Sequence, residues 1–442
     1  MKQGVKSAVV GAVAGLAFLF CVPPPAPAQE YSLRDLLKIA LERSERVRIA
    51  EENVIVAEQG RKKAISALVP RATSFASYTA YDQAKLTSGI TPASPPTVIQ
   101  PSDVSTWGVR LDQSFYMNMR ELIALRIARE SIDRSKYDLQ SVRDDYLLLV
   151  AAAYFDVMRA QRGLAIAEAN LDRLTRYRDA ARTRLRVGEV TKTTLLRAEA
   201  ELSGALSDRE RSKNALDLAK NVLARVAGLE GPFSVKEDTF EDPTAAPVDS
   251  FQDQALRNRA ELKSLELQKK IAEDQVSYAR GSYWPTISLS AVYSGLDQVP
   301  VASTTNKESK YVGAAVNFPF FEGGLRVAEV NEAKARQRQA DMALRDTVKT
   351  VRVEVQSAYL DLSTQKGVLK FVGDQVVFAR DNYNAVSKQF EFGLASSLDV
   401  IDANNLLLSA ERQMADAVYS YQLAILRLDR TTGVIQQTAL KQ

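Results

Sequence analysis

The sequence predicts a mixed α and β membrane protein built by internal duplication, and three observations predict it. First, the chain repeats itself. Ala40-Leu41 through Val69-Pro70 aligns without a gap on Ala255-Leu256 through Trp284-Pro285, and the match extends to Asp82-Gln83 and Asp297-Gln298. After a loop it resumes at a smaller offset: Ala153-Tyr154-Phe155-Asp156-Val157 falls on Ala358-Tyr359-Leu360-Asp361-Leu362, Gly188 on Gly393, and Gly228 on Gly433. Second, two proline-free tracts, Ser102 to Gly231 and Phe320 to the C-terminus, are rich in strong helix formers. Third, short runs between helices alternate apolar and polar residues with a period of two.

The N-terminus reads as an export signal over 1–28. Lys2 and Lys6 precede an apolar stretch from Ala8 to Val22, and Ala26-Pro27-Ala28 supplies the small-residue cleavage site. Cys21 follows Phe18-Leu19-Phe20 rather than small residues, so a lipid-attached start is disfavoured. The mature chain divides into repeats at 29–232 and 233–442. Each is expected to hold a shorter helix, a β-hairpin (71–116 or 286–321) and a long helical hairpin (119–228 or 324–433).

In the helical tracts apolar residues step by three and four. Leu139, Val142, Tyr146, Leu149 and Ala153 do so. Leu344, Val348, Val351, Val355, Ala358 and Leu362 follow, as do Met414, Val418, Tyr421, Ile425 and Leu428. A sustained heptad period means helices that pack along their length. Each tract breaks once, at Val187-Gly188-Glu189-Val190-Thr191 and at Phe392-Gly393-Leu394-Ala395-Ser396. A glycine followed closely by Thr or Ser reads as a C-cap and then an N-cap. Helices of roughly 119–187 and 324–392 would each be about 100 Å long. Tyr154, Tyr359, Asp156 and Asp361 are expected to serve packing.

The strand runs put Ala72, Ser74, Ala76 and Tyr78 on one face, then Trp107, Val109, Leu111 and Phe115. Ile287, Leu289, Ala291 and Tyr293 follow, and then Val312, Ala314, Val316, Phe318 and Phe320. About ten residues is the length of a tilted membrane strand. Trp107 and Trp284 are expected at strand starts, with Tyr283, Phe115, Tyr116, Phe320 and Phe321 at the other ends, as membrane-interface aromatics facing outer-membrane lipid. Proline-rich Lys85–Ser105 and the shorter Val299–Lys310 are expected as exposed loops. Two hairpins supply four strands, which cannot close a barrel, and open edges do not survive in lipid. The chain is therefore expected to oligomerise; a homotrimer gives twelve strands.

Composition excludes other classes. With 58 basic and 54 acidic residues the chain is nearly neutral, so nucleic acid is not an expected partner. It has no His, and its one Cys is Cys21. His-based triads, thiol nucleophiles and the usual zinc ligands are thereby removed; no catalytic residue, metal or cofactor is expected.

Signal, duplication, inserted strand pair, heptad helices and Gly-containing turn together resemble the TolC family of outer-membrane efflux channels. The most specific segment is Gly393-Leu394-Ala395-Ser396-Ser397-Leu398-Asp399-Val400-Ile401-Asp402-Ala403. The resemblance implies a trimeric 12-stranded transmembrane β-barrel, four strands per chain, continuous with a long periplasmic α-helical barrel. It implies an exit duct that hydrolyses nothing, in the outer membrane of a Gram-negative-type cell. A periplasmic adaptor would couple it to an inner-membrane transporter of RND or ABC type, for efflux or type I secretion. By the same resemblance Asp399 and Asp402 line the periplasmic aperture. Gly188 and Gly393, flanked by Val187, Phe392 and Leu394, are the tips that meet the adaptor. The first repeat departs from the acid pattern with Thr194 and Arg197, and Ala395 stands where some members carry arginine, so the salt-bridge lock of those members does not carry over. The competing reading is a periplasmic coiled-coil structural or adaptor protein, which would lack the paired strands.

Overall fold

A computed structural model describes residues 29–87, 97–240, 246–301 and 306–440. The expected signal segment lies outside the described residues. In chain order the elements are β1 (Gln29–Tyr31), α1 (Leu33–Arg43), α2 (Glu45–Ser66), β2 (Arg71–Ala80), β3 (Lys85–Thr87), β4 (Thr97–Gln100) and β5 (Asp103–Tyr116). Then come α3 (Arg120–Arg186), α4 (Lys192–Ala227), β6 (Phe233–Val235), α5 (Val248–Asn258) and α6 (Ala260–Arg280). The chain ends with β7 (Thr286–Val299), β8 (Glu308–Asn317), α7 (Leu325–Glu391), α8 (Ser397–Thr432) and α9 (Ile435–Leu440).

The two repeats match element for element. α3 and α7 each have 67 residues, and α4 and α8 each have 36. No helix of the described residues is long and apolar enough to cross a membrane. Both long helices start from a left-handed residue, Met119 (φ 55°) and Gly324 (φ 89°), at equivalent repeat positions. Gly228 and Gly433 end the return helices with positive φ. At Gly433 a Cβ would meet the Arg259 backbone nitrogen at 3.0 Å, so both the dihedral and the space demand glycine.

Four strands form one antiparallel sheet in the order β2-β5-β7-β8, which leaves β2 and β8 as edges. The register aligns Ala72, Ser74 and Ala76 with Leu111, Val109 and Trp107, and these with Ala291, Tyr293 and Gly295. Val312, Ala314 and Val316 continue the row through Ala291, Leu289 and Ile287. One face is thus apolar across all four strands, yet Val109, Leu111, Leu289, Val312 and Val316 are exposed. The other face carries Thr73, Ser77, Arg110, Asp112, Ser288 and Ser290. An apolar face turned outward is what lipid demands. A Cβ at Gly295 would run into the Trp107 indole, so the aromatic ring covers the bare backbone beside it.

Three expectations need correction. The aromatics do not divide by strand start and end. Antiparallel strands alternate in direction, so Trp284, Tyr283, Phe115 and Tyr116 gather at the helix-proximal end. Phe320 and Phe321 lie past Asn317 at that same end. Trp107 sits inside β5, edge-on to Tyr293 with ring centroids 5.7 Å apart. The first loop is not loop throughout: β3 pairs with β4, and β5 begins at Asp103. Likewise β7 runs to Val299 and β8 starts at Glu308, which shortens the second connection.

The third correction concerns the α3 heptad. Leu149 is exposed, whereas Leu147, Val150, Tyr154 and Phe155 are buried: the covered arc is displaced to one side of the heptad seam, because α3 meets α1, α2, α4, α6 and α8 and not a single partner helix. Leu33, Leu36, Leu37, Leu147, Leu223 and Leu426 join this cluster; each full burial contributes about 2 kcal/mol. Tyr154 is more than packing. Its hydroxyl donates to the Lys236 carbonyl and accepts from the Asp238 N–H at 3.1 Å. It ties the linker between the repeats to α3, and burial pushes its pKa up.

An ion network crosses the helices beside this core. Arg259, buried, contacts Glu261 at 2.7 Å and Glu354 at 2.5 Å, while Arg430 reaches Asp145 at 2.6 Å. Nearby, burial pushes the Asp144 and Asp429 carboxyls up to about 6; Gln436 of α9 donates to Asp144 at 2.7 Å. A carboxyl raised in the folded state stabilises fully below its unfolded pKa of 3.8, and that stability is lost as pH rises through about 6. Asp429→Asn should therefore stabilise the protein at pH 7.5 by ~2 kcal/mol and narrow the difference in apparent Tm between pH 4.5 and 7.5. Circular dichroism melts at both pH values check this. An undiminished difference would assign the pH dependence elsewhere.

Candidate functional site

The far ends of the helical hairpins hold the residues singled out as tips. Gly188 (φ +81°) and Gly393 (φ +75°) both turn the chain with positive φ. Equivalent backbone bonds close the turns, from the Gly188 N–H to the Leu185 carbonyl at 3.1 Å and from the Gly393 N–H to the Phe390 carbonyl at 3.0 Å. Val187, Phe392 and Leu394 are exposed, the latter two at 79% each. An apolar side chain held in water at a turn stabilises nothing in its own chain. These tips are therefore free to meet another surface.

Asp399 and Asp402 are both exposed in the first turns of α8. They do not play the same part. Ser396 caps α8 by accepting from the Asp399 N–H at 3.3 Å, and the Asp399 carboxylate accepts from the Ser396 N–H at 2.8 Å. This capping box holds the Asp399 carboxyl below the usual carboxylate range, first through the Ser396 backbone bond. Asp402 has no such duty. The equivalent helix of the first repeat, α4, has no acid in its first turn and no side-chain cap bond from Thr191. At the start of the return helix an acid thus stands in the second repeat alone, while the first repeat places its tip carboxylate, Glu189, before the helix begins.

Just behind the tips, contacts that sequence reasoning missed join the two hairpins. Phe390, 4% exposed, lies against Tyr177 with ring centroids 5.4 Å apart. The Arg184 guanidinium stacks 4.8 Å from the Phe390 ring and donates to the Phe390 carbonyl at 2.5 Å. Glu189 holds the other edge of Arg184 at 2.9 Å. The Tyr177 hydroxyl meets the Ser397 hydroxyl at 2.5 Å. Leu174, Ala181, Ala198, Val400 and Ile401 complete an apolar plug around these groups. About two turns above the Tyr177–Ser397 contact, Asn404 donates to Asn170 at 2.9 Å, Arg173 donates to Asn404 at 3.1 Å, and Arg173 pairs with Glu411 at 3.1 Å. These partners lie more than 200 residues apart in sequence and follow no local period, so only the fold brings them together.

The hairpins differ in how much they bury. α3 buries most of one face, whereas α7 leaves Val353, Leu360, Phe371, Val377 and Phe378 exposed, and α4 leaves Leu196, Leu206 and Leu218 exposed. Within the chain α3 packs on α8, so α4 and α7 are the outer members. Apolar residues on both outer helices match the two bare sheet edges at the other end of the molecule.

Comparison with known proteins adds to this geometry. The family model described as "Outer membrane efflux protein" matches residues 36–229 and 252–434. The chain is 24% identical over 356 residues to the outer membrane protein TolC of Escherichia coli (strain K12), which covers 77% of this chain and 71% of that protein. It is 24% identical over 387 residues to the outer membrane efflux protein BepC of Brucella suis, covering 88% and 80%. The fold is similar to that of the Campylobacter jejuni CmeC outer membrane channel, with a TM-score of 0.79, 16% identity and coverage of 98% and 94%. It is also similar to VceC from Vibrio cholerae, at a TM-score of 0.76, 19% identity and coverage of 91% and 96%.

Proposed function

The chain belongs to the outer membrane efflux protein family, and on that premise we propose that three copies close one duct and that the two hairpin tips form its regulated periplasmic end. It is an outer-membrane exit channel with an α-barrel and β-barrel fold, extending into the periplasm and serving efflux or secretion systems that include an adaptor and an inner-membrane pump. The observation that carries the trimer is the four-stranded sheet with an outward apolar face and two bare edges. Lipid admits a sheet only when every strand is paired, and twelve strands from three copies meet that demand. The sheet also argues against a periplasmic coiled-coil adaptor, which has no use for such a face.

In this reading the duct is passive and hydrolyses nothing, and energy comes from the pump. Asp399 and Asp402 of three copies ring the aperture, where six carboxylates in a narrow mouth favour cations. The Tyr177, Arg184 and Phe390 contacts hold neighbouring hairpins together and keep that mouth narrow. Val187, Phe392 and Leu394 give the adaptor apolar footholds around the two glycines. The belt of Trp284, Phe115, Tyr116, Phe320 and Phe321 marks one lipid boundary, and Trp107 lies toward the other.

The tips separate assembly from docking. A Cβ at Gly188 meets nothing within 4 Å, whereas one at Gly393 meets the Arg184 guanidinium at 3.4 Å. Gly188→Leu is therefore the cleaner probe; its left-handed backbone costs about 1–2 kcal/mol, local to the turn. It should abolish export in cells, while the outer-membrane fraction still holds a heat-sensitive trimer that conducts passively in planar bilayers without nucleotide. Full export would remove docking from Gly188. A wild-type chain found only in the soluble periplasm would remove the channel reading itself.

A further inference from the structure

We propose that neighbouring copies join in the register the chain already uses between its own two halves, with β8 of one copy antiparallel to β2 of the next. The inference rests on the trimer reading and adds to it a specific set of residue pairs.

The duplication makes the register calculable. In the first hairpin Arg71 faces Asp112, and in the second Thr286 faces Asn317. Moving the first pair by the two offsets of the sequence repeat gives the second pair, so both hairpins are the same object to the residue. The left-handed caps Met119 and Gly324 confirm the phase just past each hairpin. The seam between the hairpins, β5 against β7, pairs Phe115 with Ile287, Gln113 with Leu289, Leu111 with Ala291 and Ser105 with Asp297. A closed ring needs the same seam once more, between the second hairpin and the first hairpin of the next copy. Replacing each residue by its repeat equivalent pairs Phe320 with Ala72, Phe318 with Ser74, Val316 with Ala76 and Lys310 with Asp82.

Independent features of the residues agree with this pairing. Each pair keeps apolar face on apolar face, because Ala72, Ser74 and Ala76 share a row with Leu111 and Val109, while Val316 shares one with Ile287. A slip of one residue would turn every side chain of β8 to the wrong face. Phe320, 90% exposed, and Phe318 come to lie over small residues. Lys310 faces an opposite charge at Asp82, and directly opposed unlike charges favour a ladder.

Proline fits as well. β5 has 14 residues, but β8 stops after 10, at Asn317, and Pro319 stands two residues on. The Met117 N–H donates to the Pro285 carbonyl at 3.0 Å, so odd-numbered β5 residues exchange backbone bonds with β7 and even-numbered ones do not. Pro319 is the equivalent of Ser114, an even position. Its missing N–H points away from the next copy and toward β7, where the ladder has ended. Pro319 thus ends pairing within the chain and costs nothing at the seam. On joining, β8 lengthens through Phe321.

Thiol cross-linking tests the register, since the one cysteine is Cys21, inside the expected signal. Arg110 faces Val292 as a non-bonded pair, and its equivalent across copies is Ala315 with Ser77. The Cα atoms of such a pair lie about 4.5 Å apart, and both side chains are small. Outer membranes carrying Ser77→Cys with Ala315→Cys, treated with dibromobimane and boiled in SDS, should yield a covalent trimer. Each single variant, and Thr79→Cys with Ala315→Cys, should run as monomer. Linkage of the Thr79 pair instead, or of neither pair in a preparation whose unboiled sample is trimeric, overturns the register. Absence of any trimer in the unboiled wild type overturns the trimer reading from which the register was built.

Discussion

Replacing Asp399 and Asp402 together by asparagine should raise the concentration of a multivalent cation that half-blocks single-channel current by at least tenfold, which is about 1.4 kcal/mol of binding. The carboxylates are exposed, and in water a single pair of charges is worth little. A ring of six in a narrow mouth differs, because a trivalent cation meets all of them at once and displaces little bulk water. Asparagine is chosen over alanine because Asp399 also closes the α8 capping box with Ser396. An alanine there would remove a cap worth about 1 kcal/mol as well as a charge. Asparagine keeps an acceptor for the Ser396 N–H. Asp402→Asn alone should give about half the effect in free energy. Block unchanged in the double variant would relieve both residues of the aperture role and leave Asp399 as a capping residue.

Arg184→Ala combined with Tyr177→Phe should widen the closed end of the duct and raise single-channel conductance severalfold. Arg184 is well buried for a charged group and has three partners at once: the Phe390 carbonyl, the Phe390 ring and Glu189. A hydrogen bond from a charged donor contributes about 1.5–3 kcal/mol, and three copies repeat it. Tyr177 adds the bond to Ser397. Removing both leaves Phe390 in its apolar plug but frees the two hairpins to slide. The trimer should persist, since neither residue reaches the sheet or the outer faces of α4 and α7. Arg184→Lys separates charge from shape: lysine keeps the charge but cannot fork between the carbonyl and Glu189, so most of the conductance change should remain. Wild-type conductance in the double variant would show that other contacts, such as Arg173 with Glu411, hold the end closed.

Much of the architecture is legible in the sequence because it is periodic. The alternation from Thr286 to Tyr293 and the heptads from Leu344 to Leu362 each repeat a local rule, and duplication states each rule twice. The tip glycines are legible because positive φ restricts residue type. The paired β3 and β4, and the partners of Arg184, are not legible. Arg184 sits in a run of arginines, and nothing local distinguishes it from Arg182 or Arg186. Its role arises from Phe390, which only the packing of α3 on α8 brings near. The α3 heptad points to Leu149, yet the buried arc lies to one side of that seam, through Leu147, Val150 and Phe155, because several neighbours and not one partner helix decide which side of α3 is covered.

The equal length of α3 and α7 has a consequence for how such a chain can change over time. Each added residue advances a helix by 1.5 Å and rotates everything beyond it by about 100°, so one insertion would turn the whole lower packing face away from its neighbours. Only additions near a multiple of seven preserve the seam, and they must occur in both helices, since the two tips share one level. The length of the duct is in effect quantised. The repeats differ in length only in the connections between their strands, where a change shifts no register. A ruler that cannot be lengthened by small steps fixes the span from membrane to tip, and any partner that reaches the tips must be matched to that span.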